Sequence, residues 1–393
     1  VTLGFLCGRT TIRRSLKWCK THLEELRKHM NLKYGIASPS TITRMLNGID
    51  EELALYAFME WIGEIVESRN THLAIDGKAL CGATEKTKGE TTPMLLNVVE
   101  TVRGLILAQL PVDSKTNEIT AIPELLKLLD ISGSIVTIDA VGTQTAIMEQ
   151  IHEQGGHFVL TVKKNQPEAY EEIHTFMDKL GAEDLKRKKG EAMDPGMKEF
   201  LEKYEEISQM EKNRDRNEYR TCQICKDASN LTKSQKEWPH VQSIGRIKQV
   251  RIPKEKDSQG NDVTPSKEEF LEKGSRRIPA PSAGEGAGKD VQCTALISDL
   301  ILTAEELGSI KRMHWSIENR LHHVLDDTFR EDRSPAKKSR NNLSLIRKYA
   351  YNILRLAMYE TGLANIMTEM MDCFCDNAAL RERYVFQGIA SLY

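Results

Sequence analysis

The chain has 393 residues, with 55 Lys and Arg against 57 Asp and Glu and 40% hydrophobic residues. That length allows two or three domains and a sizeable core, and the ordinary composition excludes wholesale disorder, collagen and coiled-coil classes. A net charge of −2 argues mildly against a nucleic-acid partner, and no run approaches the roughly 18 apolar residues of a membrane span, so no membrane partner is expected. The opening VTLGFLCGRTTIRRSLKWCK lacks the apolar core and cleavage site of a secretory signal, while the start at Val1 suggests a missing native N-terminus.

Residues 1–70 read as a helical N-terminal domain: SLKWCKTHLEELRKHM and IDEELALYAFMEWIGEIVES have helical spacing, and SPSTITRML between them is a capped short helix. From residue 71 the texture changes. THLAIDGKAL is a strand ending at Asp-Gly. MLLNVVETVRGLILAQLPV is a hairpin turning at Arg103-Gly104. EITAIPELLKLLD is a helix with Pro123 in its first turn, SIVTIDA a buried strand, TQTAIMEQIHEQGG a helix closed by glycines, HFVLTVK a strand and PEAYEEIHTFMDKL a helix. The span 71–180 is therefore an α/β layer with an antiparallel opening and a parallel continuation.

Residues 181–211 are charge-rich, EYRTCQI and VQSIGRIKQVRI are strands, and 253–290 are rich in Pro, Gly and charge, which predicts a mobile loop. VQCTALISDL resumes a strand, so 181–300 reads as an insertion with β strands. Residues 301–393 are helical: LTAEELGSIKRMHWSIENRLHHVLDDTF with Thr303 as cap, then SRNNLSLIRKYAYNILRLAMYE. Of eight cysteines, Cys222 and Cys225 form one CxxC without a second pair at zinc-finger spacing, so reduced thiols are expected.

Three carboxylates stand out. Asp76 and Asp139 end apolar strands, and Glu318 lies within the long helix. Strand-end aspartates on neighbouring strands repel unless a cation sits between them, and oxygen ligands with little Cys or His favour Mg²⁺ or Mn²⁺ over zinc. A third carboxylate on a packed helix completes a site for two ions of the kind used in phosphodiester chemistry. Spacing alone leaves the bland readings open: a turn residue for each aspartate and a solvated helix residue for Glu318.

The surrounding words decide more. AIDGKALCGA, NEITAIPELL, TIDAVGTQT, HWSIENRLHHVLDDTFRED and NLSLIRKYAYNILR closely resemble the ISAs-type insertion-sequence transposases, the H-repeat-associated group of the DDE transposase class. The resemblance runs in order over about residues 30–360. It implies a ribonuclease H-like catalytic core interrupted by a β-rich insertion in the 178 residues between Asp139 and Glu318. It also implies Asp76, Asp139 and Glu318 as catalytic metal ligands for two Mg²⁺ (or Mn²⁺) ions, double-stranded DNA as substrate, a homodimer in the synaptic complex, and a cytoplasmic, nucleoid-associated location. Departures include Cys81 in place of a frequent Arg, and His323 and Asp327 in place of Trp and Val. His314 and Leu325 stand where a neighbouring group carries its Arg and Lys signature residues, so a hairpin-forming mechanism is not implied.

Around the triad, Lys78, Lys163, Lys164, Asn165, Arg312, His314 and Trp315 are candidate DNA contacts. Asp326, about two helical turns beyond Glu318, is a candidate to orient a basic residue or water, while Glu331 and Asp332 read as a solvated helix end. Local charge departs from the total. Residues 1–34, 212–254 and 333–355 carry +6, +7 and +7, and 166–211 carry −6. Segregated basic stretches are the electrostatic footprint of phosphate binding, and the N-terminal helices suggest an end-recognition module. The sequence supports a DNA transposase. The alternatives are a ribonuclease H-like nuclease without strand transfer, and a non-catalytic DNA-binding relic.

Overall fold

A computed structural model describes residues 1–80, 94–112, 118–212, 216–231, 238–253, 255–256, 262–263, 291–334, 336 and 338–387. Cys81 and nearly all of the loop read at 253–290 lie outside the described residues. In chain order the elements are α1 (Thr2–Leu6), α2 (Ile12–Thr21), α3 (Leu23–Leu26), α4 (Pro39–Gly48), α5 (Glu51–Gly63), β1 (His72–Ala79), β2 (Met94–Glu100), β3 (Leu105–Val112), α6 (Glu118–Lys127), β4 (Ile135–Ile138), α7 (Thr145–Glu153), β5 (His157–Val162), α8 (Pro167–Lys189) and α9 (Lys198–Glu202). There follow β6 (Tyr204–Lys212), β7 (Arg216–Cys225), β8 (Ser243–Pro253), β9 (Glu255–Lys256), β10 (Asp262–Val263), β11 (Val291–Ser298), α10 (Ala304–Ile317), α11 (Arg340–Thr361), α12 (Met367–Asp376) and α13 (Ala378–Arg381). The architecture is mixed α/β, and among the described residues no helix is long and apolar enough to cross a membrane.

The chain divides into two compact units, at places other than the four stretches read from sequence. One contains Val1–Thr137, Gln154–Gly156 and Met313–Tyr393, and the other Ile138–Glu153 and His157–Arg312. In the first unit the strands lie in the order β3-β2-β1-β4, with β1–β2 and β2–β3 antiparallel. Every residue of β2 is buried, as an apolar strand covered on both faces requires. The β2–β3 turn closes at Gly104, whose φ of +76° suits glycine, and the Glu100 carboxylate accepts from the N–H groups of Val102 and Arg103 at 2.7 and 3.0 Å. Helices α5 and α11 pack on β3. Leu55, Phe58 and Ile62 form the buried stripe of α5, each contributing about 1.5–3 kcal/mol. Asn352 of α11 fastens to both the N–H and the C=O of Ile106 on β3. The N-terminal helices thus share a core with the sheet. Pro123 sits inside α6 rather than in its first turn.

The second unit has the strand order β5-β11-β8-β7-β6. β11 is antiparallel to β5 and to β8, and β8–β7 and β7–β6 are antiparallel, so the strands read as an insertion continue the sheet that contains β5. Cys222 and Cys225 are buried free thiols on β7. Three residues apart on a strand, they face opposite sides and cannot share a metal.

The opposed charge stretches meet within this unit. Arg220 pairs with Glu211 and Glu218, Lys226 with Glu205, and Arg246 and Lys248 with Asp178. Among the described residues, these four cations of the basic run 212–254 are paired with carboxylates, three of them with carboxylates of the acidic run 166–211 alone. At the head of α10, Thr303 Oγ1 accepts from Glu306 N at 3.2 Å while Glu306 Oε2 accepts from Thr303 N at 2.8 Å, a reciprocal capping box. Thr303→Ala is expected to cost about 1 kcal/mol of stability, read as a shift in denaturant midpoint. An unchanged midpoint would show the cap to be idle.

Candidate metal centre

Asp76 lies within β1, not at its end. The strand pairs on through Gly77, Lys78 and Ala79 with Leu96, Leu95 and Met94. Its Oδ1 accepts from Gly77 N at 3.0 Å. Glu318 begins a helical segment with a different winding from the one expected. α10 ends at Ile317, and the path continues through two π-helical turns, Glu318–His322 and Val324–Thr328. Such turns recur at functional sites.

They bring in a residue that sequence reasoning passed over. Asp76, Glu318 and His322 place one ligand atom each within 4.8 Å of one another. His322 Nδ1 is 3.6 Å from Asp76 Oδ2 and 3.7 Å from Glu318 Oε2. The signal was available as an i, i+4 spacing from Glu318.

His322 is buried, and burial, reinforced by Lys78 and Lys348, pulls its pKa down to about 4 against the opposing pull of Glu331. At neutral pH it is uncharged and offers a lone pair. Its Nε2 has no hydrogen-bond partner among the described residues. Two carboxylates and a neutral imidazole nitrogen converge, a donor set that suits a divalent cation. An octahedral ion with ligands at about 2.1 Å spans about 3 Å between adjacent ligands and about 4.2 Å between opposite ones, so small side-chain movements close the site.

Asp139 follows β4 and belongs to the other unit, where it stands at the head of a short 3₁₀ turn, Ala140–Gly142. Both its oxygens accept from Lys163 Nζ, at 2.8 and 2.9 Å. Burial raises its pKa, but Lys163, the Ala140 N–H and Lys311 outweigh it and hold the carboxyl below its ordinary value. Asn165 Nδ2 donates to Ala140 O at 3.0 Å, and Gln166 bonds Thr143 O. The segment read as a DNA contact therefore clamps the Asp139 turn. Lys164 is exposed.

The remaining candidates separate by burial. Lys78, two residues beyond Asp76, is 4% exposed, with its Nζ 2.5 Å from Asp326, 3.4 Å from Asp332 and 3.5 Å from Glu331. Burial lowers its pKa, but Glu331, Asp326 and Asp332 raise it above the ordinary value. It serves as an internal counter-ion. Asp326 does orient a basic residue, whereas Glu331, read as solvated, is buried. Lys348 lies beside it and bonds Asn97 and Gln109; burial pulls its pKa to about 7. His314 is also buried, with Nδ1 3.0 Å from Thr137 Oγ1, which in turn meets His72 Nε2 at 3.1 Å. These contacts form a polar chain within the core. Arg312 is exposed but pairs with Glu211 and Gln209, and Trp315 is half-buried.

Comparison with known proteins completes the description. A family model described as a transposase DDE domain matches residues 67–353. YbfL of Escherichia coli (strain K12) is 29% identical over 85% of this chain and 78% of its own length. YncI of Escherichia coli O157:H7, provisionally named a transposase, is 29% identical over 85% of this chain and 74% of its own. YhhI of strain K12, provisionally named an H repeat-associated transposase, is 28% identical over 85% and 78%. A solved piggyBac transposase synaptic complex with hairpin DNA aligns over 80% of this chain and 54% of that one at 10% identity, with a TM-score of 0.35, too low to bear on the fold. With the family model spanning most of its length, the chain belongs to the DDE transposase family, in the H repeat-associated group.

Proposed function

We propose that this chain is a divalent-metal-dependent transposase that cuts double-stranded DNA at the ends of its own element and joins them to a target. The observation that carries this reading is the convergence of Asp76, Glu318 and His322 in a chain of this family. Asp139 is the second carboxylate of the proposed triad. Two Mg²⁺ ions, or Mn²⁺, are the expected complement. The order β3-β2-β1-β4, with Asp76 on β1 and Asp139 directly after β4, supports a ribonuclease H-like core. A homodimer in the synaptic complex and a nucleoid location belong to the same proposal.

When bound, the ions supply a Lewis acid that activates water, then a DNA 3′-hydroxyl, and stabilise the leaving oxygen. The chain's own residues prepare that chemistry. β1 and the Gly77 N–H fix the Asp76 carboxylate. His322 presents nitrogen from a buried position. Lys163 keeps Asp139 ionised, so that its carboxylate would be available to hold an ion. The Lys78 cluster ties β1 to the segment 326–332, so the strand bearing Asp76 cannot drift from the helix bearing Glu318.

The test is nicking of a duplex carrying the element end, with and without Mg²⁺, followed by a strand-transfer assay. Nicking with joining is expected. Hydrolysis without joining would make the chain a nuclease, and binding without cleavage a relic. His322→Ala is expected to weaken Mn²⁺ binding by on the order of tenfold or more, read by calorimetric titration. Unchanged affinity would remove His322 from the ligand set.

A further inference from the structure

A cavity of about 630 Å³ lies among the start of α2, α4 and the segment leading into α11. Neither Asp76, Glu318 nor His322 lines it. Its walls carry four cations, Arg330, Arg333, Lys338 and Arg347, and no carboxylate among the described residues. Two helices begin there, α2 capped by the Thr11 side chain and α11 following Ser339, and helix starts present N–H groups and partial positive charge.

Arg347 is the built part of the site. It is 3% exposed, its guanidinium lies 5.6 Å from the Phe5 ring centroid, and its Nε has no hydrogen-bond partner among the described residues. The Glu331 carboxylate stands 3.9 Å from its Nη1, outside hydrogen-bond range. Glu331 supplies a neighbouring charge, and the unpartnered Nε leaves the guanidinium able to take a further acceptor. Arg330, Arg333 and Lys338 are exposed, and no ion pair engages them among the described residues. They differ in this from Arg220, Lys226, Arg246 and Lys248, each of which is paired with a carboxylate.

We propose that this cavity seats a phosphate of the DNA backbone, held by Arg333, Lys338 and Arg347 at the start of α11. The proposal rests on the reading that the chain acts on DNA. The volume lies in the range of ligand pockets and admits a phosphodiester with its sugar.

The experiment measures binding of a duplex of about 30 base pairs by fluorescence anisotropy across a salt series without divalent metal, for the full chain. Arg333→Gln/Lys338→Gln is compared with Lys17→Gln/Lys20→Gln, a charge-matched change at exposed positions of α2 outside the cavity. The cavity variant is expected to bind about tenfold more weakly, with the log–log salt slope reduced by roughly 1 to 2, and the control to change less than twofold. Equal loss in both variants, or none in either, would overturn the proposal. Thermal shift with inorganic phosphate separates the sources. If the wild type binds no duplex yet is stabilised by phosphate through these two residues, the DNA reading has failed and the occupant is a free anion, not DNA.

Discussion

Asp76→Asn is expected to lower metal-dependent nicking by roughly a thousandfold or more, on the scale of losing a central electrostatic group of an active site. The substitution keeps shape and an acceptor for the Gly77 N–H, and the pairing of position 76 with Asn97 is made by backbone. The fold should therefore survive. Removing one of two carboxylates aimed at His322 also relieves repulsion in the metal-free protein, so its melting temperature should equal or exceed that of the wild type. What disappears is stabilisation by metal. A saturating ion at about 100 times its Kd adds about 2.7 kcal/mol to the wild type, and Asp76→Asn should lose most of it. A variant that still nicks DNA, or is stabilised by Mn²⁺ as the wild type is, would remove Asp76 from the site.

The second large effect concerns stability. Glu331 is buried beside three cations, Lys78 at 3.5 Å, Arg347 at 3.9 Å and Lys348. Burial alone would raise its pKa, but Lys348, Lys78 and Arg347 overcome that and hold it ionised. Glu331→Gln keeps the volume and strands the cations. Removing one partner of a buried charge cluster costs about 3–5 kcal/mol. Lys348, already pulled to about 7, sheds its proton most readily, but Arg347 cannot. For a unit of this size the loss corresponds to a fall of about 10 °C in the calorimetric midpoint. A fall under about 2 °C would show that the cluster is solvated and relaxed. Nicking should suffer as well, because Lys78 links this cluster to the strand that bears Asp76.

The contrast between these two sites explains what was legible in the sequence. Hydrophobic periodicity and turn chemistry are local, so the β2–β3 hairpin, the Ser38 and Thr303 caps and the strand resuming at Val291 stood where the pattern put them. Asp-Gly at 76–77 reads as a strand end because that pair is a turn signal, and Lys78 after it reads as a phosphate contact. Its three carboxylate partners lie some 250 residues further along the chain, and no local signal reports such a pairing. Net charge per stretch is blind to such pairing for the same reason. Arg246 and Asp178 belong to opposed runs in sequence and are 2.7 Å apart in the sheet unit. Lys163, Asn165 and His314 read from sequence only as polar residues near the carboxylates, while their bonds to Asp139, Ala140 and Thr137 are set by the fold. His322 was overlooked because a helix-face count from Glu318 gives many candidates until packing selects one.

The central reading, metal-dependent cleavage at an element end, is tested most directly by mapping the product on the duplex that flanks this reading frame. With Mg²⁺ or Mn²⁺ the wild-type chain should leave a nick with a 3′-hydroxyl at the boundary of the terminal inverted repeat, and chelation should abolish it. Absence of any cut with either metal, or a cut that persists after chelation, would contradict it.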